Sequence, residues 1–319
     1  LAAAAAAAAS LLLLARAAED TCAAGGACEA RFTNTTTPAY PLRDGTAIPV
    51  IGFGTYRIPE GDDAYGAVRT ALEVGYRMVD TAVIYGNEAS VGRAIRDSGI
   101  PRSEIYVETK IWHHGYEAAL AEGRQCNERL GLGYIDLLII HSPNPGQIVE
   151  TYDALLKLQE EGVVRSVGVS NFGVPHLQAL ADYCRPAPVV NQIELHPLVA
   201  RERQDLVEYC QAHEILVQPY GSVLSGHGDL LALADSVARA HQKSSAQVLL
   251  RWALDQGFQV IPKSTRRERM VENFDVLGFS LTEAERGELN GRDGKLSEYW
   301  NPLVTPVDVG GVGPKPDSC

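Results

Sequence analysis

Four side chains at regular intervals give the first chemical hint. Asp80, Lys110 and His141 each close an apolar, strand-like run, and they stand 30 and 31 positions apart (80 to 110, 110 to 141). Tyr85 follows Asp80 by five positions, in "VDTAVIYGNE", on a loop leading into a helix-like pattern. A lysine buried at a strand end needs a counter-charge, and Asp80 on a neighbouring strand can supply it. The ammonium would then stand beside the Tyr85 phenol, whose unperturbed pKa is about 10. A cation about 4 Å away, at an effective dielectric near 20, favours the phenolate by about 4 kcal/mol before desolvation is subtracted. The expected outcome is a lowered phenol pKa and a proton donor usable near neutral pH. His141 can donate a hydrogen bond that orients a carbonyl oxygen. Together these groups polarise a C=O bond for attack at carbon.

The attacking group must come from outside the chain. There is no clear nucleophile elbow and no metal-ligand cluster, so an external hydride fits, and that requires a nicotinamide. The segment "IPKSTRRERMVEN" sets Lys263, Ser264, Arg266, Arg267 and Arg269 within seven residues at the start of a helix. In a protein of net charge −12, such a cluster at a helix N-terminus suggests an anionic ligand, with a ribose phosphate a good candidate. The alternative is a solvated basic helix face. Each residue also has a structural reading taken singly. An Asp after a strand is commonly a turn former or cap, and a Tyr or His is commonly core packing. Ser170, Asn191, Tyr220 and Lys263 also stand near strand ends, so seven polar residues share one register and form a crown.

The elements that would position them alternate. "YPLRDGTAIPVIGFGTYRI" contains a hairpin signal at Asp44-Gly45. Strand-like runs then end near Thr55, Asp80, Lys110, His141, Ser170, Asn191, Tyr220 and Lys263. Helical patterns cover 62–74, 88–97, 116–129, 147–161, 174–183, 201–212, 229–240 with 245–256, and 267–275. Runs such as "YIDLLII" are nearly continuous in apolar residues, as parallel strands covered on both faces are. Eight such units over roughly 230 residues fit a (β/α)8 TIM barrel, whose active sites lie at the C-terminal rim. A doubly wound sheet would need a glycine-rich phosphate loop opening a helix, and "GFGTYR" is not one.

The chain has 319 residues, 45% of them hydrophobic, which allows a sizeable core. The net charge argues against nucleic acid or an anionic membrane as the main partner. Residues 1–38 read as a low-complexity leader and linker, and 39–319 as one barrel domain with an N-terminal β-hairpin and an extra C-terminal helix and tail. The Ala/Leu-rich start is read as a cleaved targeting leader or as a helical or disordered tail, with a membrane anchor less favoured. Asn34-Thr35-Thr36 is a formal glycosylation sequon. The mature barrel is expected in the cytoplasm, with organellar or secretory targeting as the alternative. Six cysteines (22, 28, 126, 184, 210 and 319) match no zinc spacing. They are expected to be unbridged thiols; a Cys22–Cys28 bridge fits the spacing but nothing demands it.

From about Tyr40 to Asp293 the chain resembles the aldo-keto reductases. "GFGTYRI", "GYRMVDTAVIYGNE", "ETKIW", "DLLIIHSP", "VGVSNF", "NQIELHP" and "IPKS…R..EN" occur in the family's order. The resemblance implies NADPH-dependent reduction of aldehydes or ketones by a protein that is commonly a monomer. It implies Tyr85 as proton donor, Lys110 and Asp80 as the pair that tunes it, and His141 as the carbonyl-orienting residue. It puts Ser170, Asn171 and Gln192 at the nicotinamide carboxamide and Tyr220 on the nicotinamide ring. Gly221, Ser222 and Leu224 fall in the pyrophosphate segment. Lys263, Ser264 and Arg269 fall at the 2′-phosphate, Thr265 among the other cofactor contacts, and Glu272 and Asn273 at adenine. Gly54, Thr55 and Tyr56 fall at the cofactor and mouth, and Trp112 walls the substrate pocket with Tyr56 and His141. No metal is implied.

The chain departs from the family at Ser142, where many relatives carry an aromatic, in the short "PNPGQIV" segment, and in "GSVLSGHG". The tail from Ser297 matches nothing firmly, and Tyr299 and Trp300 either reach the pocket or pack on the barrel. Two other functions compete: a Schiff-base aldolase using Lys110, and an NADPH-sensing subunit that regulates a partner.

Overall fold

The computed structural model describes residues 38–223, 228–290, 299, 301–316 and 318–319. The leader, the sequon and the Cys22–Cys28 pair lie outside the described residues, as do Leu224 and Trp300. Strands β1 (Ala39–Pro41) and β2 (Ala47–Pro49) form the antiparallel hairpin. A parallel sheet then runs in sequence order through β3 (Phe53–Gly54), β4 (Met78–Asp80), β5 (Tyr106–Ile111), β6 (Ile135–Ile140), β7 (Val164–Ser170), β8 (Val190–Glu194) and β9 (Leu216–Tyr220).

The ring closes without a full eighth strand. Residues 259–262 bridge β9 and β3 through Gln259 N–H to Val217 O (3.1 Å), Gly52 N–H to Val260 O (2.8 Å) and Gly54 N–H to Pro262 O (3.1 Å). The Ile51–Val260 bridge is parallel. Pro262 has no N–H to give and so shortens the ladder. The fold is a (β/α)8 barrel with one abbreviated stave.

The outer layer is α1 (Asp62–Val74), α2 (Glu88–Arg96), α3 (Tyr116–Leu130), α4 (Ile148–Glu160), α5 (Val174–Asp182), α6 (Gln204–Ala212), α7 (Gly228–His241), α8 (Ser245–Leu254), α9 (Arg267–Phe274) and α10 (Glu283–Asn290). The expected patterns fall on α1–α9 within a few residues. Helix α8 has a capping box in which Ser244 Oγ accepts from Gln247 N–H (3.2 Å) and Gln247 Oε1 accepts from Ser244 N–H (3.0 Å), and such boxes fix helix starts. Gly92 lets α2 approach α3 closely, since a Cβ there would stand 1.9 Å from Leu130 O.

Two expectations need correction. Asn191 is the second residue of β8, well before its end, and does not belong to the rim crown. Its side chain faces outward, donating to Phe172 O (2.8 Å). Alternation along the strand sends Gln192 inward instead. The cysteines are also not all free: Cys184 and Cys319 form a disulfide across 135 residues, with Cα atoms 5.3 Å apart. Cys126 and Cys210 are buried thiols. Linear spacing carried no information about the first pair, because the tail must fold back past α5 to bring its end to Cys184. On the way, Ile148 N–H donates to Asp308 O (2.9 Å) and Lys315 pairs with Asp182 at 2.8 Å.

Candidate active site

The register explains how the reacting groups meet. Asp80 pairs with Glu108 across β4 and β5, and Lys110 with Ile139 across β5 and β6. Because side chains alternate along a strand, Glu108 and Lys110 both point into the barrel while Thr109 points out to Glu88 (Oγ1 to Oε1, 2.6 Å). Lys110 is fully buried. Its ammonium donates to Asp80 Oδ2 and to Thr81 O, the latter at 2.8 Å. Burial works against this charge, but the Asp80 carboxylate beside it outweighs burial, so Lys110 is held protonated more firmly than a free lysine.

Tyr85 ends a short 3-10 turn, Val83–Tyr85, capped by Gly86 at φ 66, a left-handed conformation that favours glycine. Asn87 anchors this turn. It is buried, accepts from Thr81 Oγ1 (2.7 Å), and donates to Thr55 O (3.1 Å) and Ile58 O (2.9 Å). Lys110 Nζ lies 5.0 Å from the centre of the Tyr85 ring. Burial pushes the phenol up, the Lys110 cation pulls it down, and Asp80 pushes it up again; the net direction is upward. The expected net lowering is therefore corrected: the desolvation that was left unsubtracted outweighs the lysine. The phenol stays protonated, as a proton donor must.

His141 stands edge-on to Tyr85 (5.7 Å between ring centres) and to Trp112 (5.6 Å). Burial and then the Lys110 charge push its imidazole far down, so it is neutral. A neutral ring can still donate one hydrogen bond to an oxygen. Tyr56 packs 5.1 Å from Tyr85. Tyr56 and Ile84 line the cavity and are exposed, as is Trp112 beside His141.

These groups open into a cavity of about 1300 Å³. Asp80, Tyr85, His141 and Tyr56 line its inner end. Ser170, Asn171, Gln192 and Tyr220 follow, linked to one another: Ser170 Oγ donates to Gln192 O (2.8 Å), Asn171 Nδ2 to Ser170 Oγ (2.9 Å), and Tyr220 OH to Asn171 Oδ1 (2.7 Å). Gly54, Gly221 and Ser222 also line the cavity. Lys263, Ser264, Thr265, Arg269, Glu272 and Asn273 line the outer end.

Three expected residues adjoin the cavity without lining it directly. Thr55 is buried behind the wall, its hydroxyl given to Asp80 O (2.9 Å). Lys110 lies beneath Asp80, and Trp112 touches the site through His141. Sequence reasoning missed Arg57, Ile84 and Glu108. Tyr299 lines the cavity and packs edge-on to Tyr220 at 5.4 Å, so the tail does reach the pocket.

The outer end fits a phosphorylated dinucleotide. Burial and nearby Arg57 both lower the Lys263 amine, a repulsion that an anion would relieve. Ser264 Oγ accepts from Arg266 N–H (3.1 Å) and so shapes the entry into α9. An anion at this point would meet donors and the positive end of a helix together. Lys263, Ser264 and Arg269 would hold such a phosphate, while Ser170, Asn171 and Gln192 would face a carboxamide.

Comparison with known proteins agrees with this geometry. The sequence profile of the Aldo/keto reductase family matches residues 50–292. A 9,11-endoperoxide prostaglandin H2 reductase of Trypanosoma cruzi is 44% identical over 259 residues, covering 78% of this chain and 89% of the relative. A glyoxal reductase of Bacillus subtilis is 37% identical over 251 residues, covering 78% and 90%. The solved structure of an aldo-keto reductase from Bombyx mori, in complex with NADP, superposes with a TM-score of 0.74 at 32% identity, covering 81% and 93%. The chain belongs to the aldo/keto reductase family of oxidoreductases.

Proposed function

We propose that this chain reduces a small aldehyde or ketone to the alcohol with NADPH, using Tyr85 as proton donor. The observation that carries the reading is the convergence of Tyr85, Lys110, Asp80 and His141 at one end of a cavity whose other end gathers Lys263, Arg266 and Arg269, none with a carboxylate at ion-pair distance among the described residues. When bound, NADPH supplies the hydride that reaches the carbonyl carbon. The chain does the rest. The His141 N–H orients the carbonyl oxygen, and the Tyr85 hydroxyl delivers its proton as negative charge builds there. The phenolate left behind is stabilised by the Lys110 ammonium, which Asp80 keeps charged and in place. The apolar side chains of Tyr56, Ile84 and Trp112 shield the reacting carbon from bulk water. Glyoxal reduction, the reaction for which the Bacillus relative is named, is of this type.

A Schiff-base aldolase would need a neutral, accessible lysine, and the buried, charged state of Lys110 weighs against it. Among the described residues no helix is long and apolar enough to cross a membrane. Disulfides persist mainly in oxidising compartments, so the Cys184–Cys319 bridge favours the organellar or secretory alternative over the cytoplasm.

The test is NADPH oxidation across aldehydes, ketones, quinones and sugars, with the alcohol product identified. Turnover with at least one carbonyl is expected. Tight NADPH binding with no oxidation across the panel would overturn the reading in favour of a sensing subunit.

A further inference from the structure

Helix α3 carries an acid on its apolar face. Its buried positions include Ala119, Leu120, Gly123, Cys126 and Leu130, and among them stands Glu122, 5% exposed. A carboxylate in such a place costs several kcal/mol unless it is hydrogen-bonded. All its hydrogen bonds go to one spot. Oε2 accepts from the backbone N–H of Trp112 (2.6 Å) and of His113 (2.8 Å), and Oε1 pairs with His113 Nδ1 (2.5 Å).

Trp112 and His113 lie directly after β5, where the ladder has run out. Their N–H groups have left the sheet and need acceptors outside it. Glu122 pairs both. The backbone it grips begins two residues past Lys110 and carries the indole that packs edge-on against His141.

We propose that Glu122 is a positioning residue for carbonyl substrate: by fixing the Trp112 and His113 backbone it sets the indole against His141 and so shapes the substrate wall. The proposal rests on the reductase reading for its kinetic consequence but not for its structural one. It acts on the substrate end, because among the described residues the hydrogen bonds of Glu122 reach only Trp112 and His113.

The test has two arms. In kinetics, Glu122→Ala is expected to raise KM for the carbonyl by about tenfold or more, with kcat and the NADPH Kd changed by less than about threefold. In a Trp112→Ala background the same substitution should add less than about twofold, since neighbours acting through one contact are not additive. Glu122→Gln should restore most of the effect: its amide oxygen can take both N–H groups while its NH2 faces His113. If Glu122→Ala does not fold, Glu122→Asp serves instead, because it keeps the charge but withdraws the oxygens by one methylene.

In spectroscopy, the Trp112 emission, isolated by subtracting the Trp112→Phe protein, should shift to the red in Glu122→Ala and return in Glu122→Gln. Unchanged emission, fully additive kinetics, or a lowered melting temperature with KM unaltered would each overturn the proposal. A wild-type protein inactive on every carbonyl would overturn the reductase reading instead, and the emission arm would still decide the role of Glu122.

Discussion

The two ends of the cavity treat charge in opposite ways. At the inner end nearly every charged or polar group is answered from within the chain. Lys110 is met by Asp80 and Thr81 O, and Asp80 also accepts from Gln192 Nε2 (3.1 Å). The polar layer continues below, with Glu108 accepting from Gln192 (2.8 Å) and Gln218 (2.7 Å), and Gln218 donating to Gln259 Oε1 (2.7 Å). At the outer end, Lys263, Arg266 and Arg269 have no carboxylate within ion-pair distance among the described residues, and burial beside Arg57 lowers the Lys263 amine. The inner end is prepared for a reaction, with charges fixed before substrate arrives. The outer end is left to be completed by a ligand. Substitutions should therefore separate cleanly into losses of turnover and losses of cofactor binding.

The largest separation is expected at Tyr85. Tyr85→Phe removes the transferable proton and leaves the ring contacts with Tyr56 and His141. Steady-state assays should find kcat for carbonyl reduction lowered by about 10²–10⁴-fold, and NADPH titration should find a Kd within about twofold of wild type. Normal kcat in this variant would break the assignment of the inner end.

A smaller effect, on stability, tests the buried layer itself. Burial, then the charge of Asp80, raise the Glu108 carboxyl to about 8, against the pull of Lys110. A carboxyl whose folded pKa is raised binds its proton more tightly folded than unfolded. Its stabilising contribution is full below the ordinary carboxylate range and is lost as pH rises towards 8. Chemical unfolding at pH 5 and pH 8 should find wild type losing stability between them, by on the order of a few kcal/mol from this group. Glu108→Gln, which stays neutral, should lose less. Parallel pH profiles for the two proteins would mean that Glu108 is ionised throughout.

What could be read in the sequence divides along similar lines. Asp80, Lys110 and His141 were legible because each stands within one residue of a strand end, and a period of one βα unit forces neighbours together without any knowledge of packing. Asn191 misled because a run of apolar residues gives a strand but not its pleat phase, and one position decides whether a side chain faces the barrel or a helix. The sign of the Tyr85 shift could not be read because it depends on how much water the finished site excludes. Glu108 and Glu122 went unnoticed although each carried a signal: an acid at an inward strand position and an acid on an apolar helix face. The Cys184–Cys319 bridge carried none, since a contact across 135 residues leaves no periodic trace.

The smallest effect sharpens the outer end. Arg269 lines the cavity beside Lys263 and Ser264 at the start of α9, where a 2′-phosphate is proposed to sit. NADPH and NADH differ only by that phosphate, so an arginine that reads it must discriminate between them. A hydrogen bond to a charged group contributes about 1.5–3 kcal/mol, so Arg269→Ala should weaken NADPH binding by about 10- to 100-fold. NADH binding should change by less than about threefold, and the NADPH penalty should shrink as salt screens the partly exposed charge. Equal losses for both nucleotides would mean that Arg269 supports the shape of the α9 entry and that Lys263 carries the anion alone. Because the inner end holds no part of this contact, kcat at saturating cofactor should not move. A drop in kcat would show that the two ends are coupled through the bound nucleotide, a link that their separate hydrogen-bond networks do not provide.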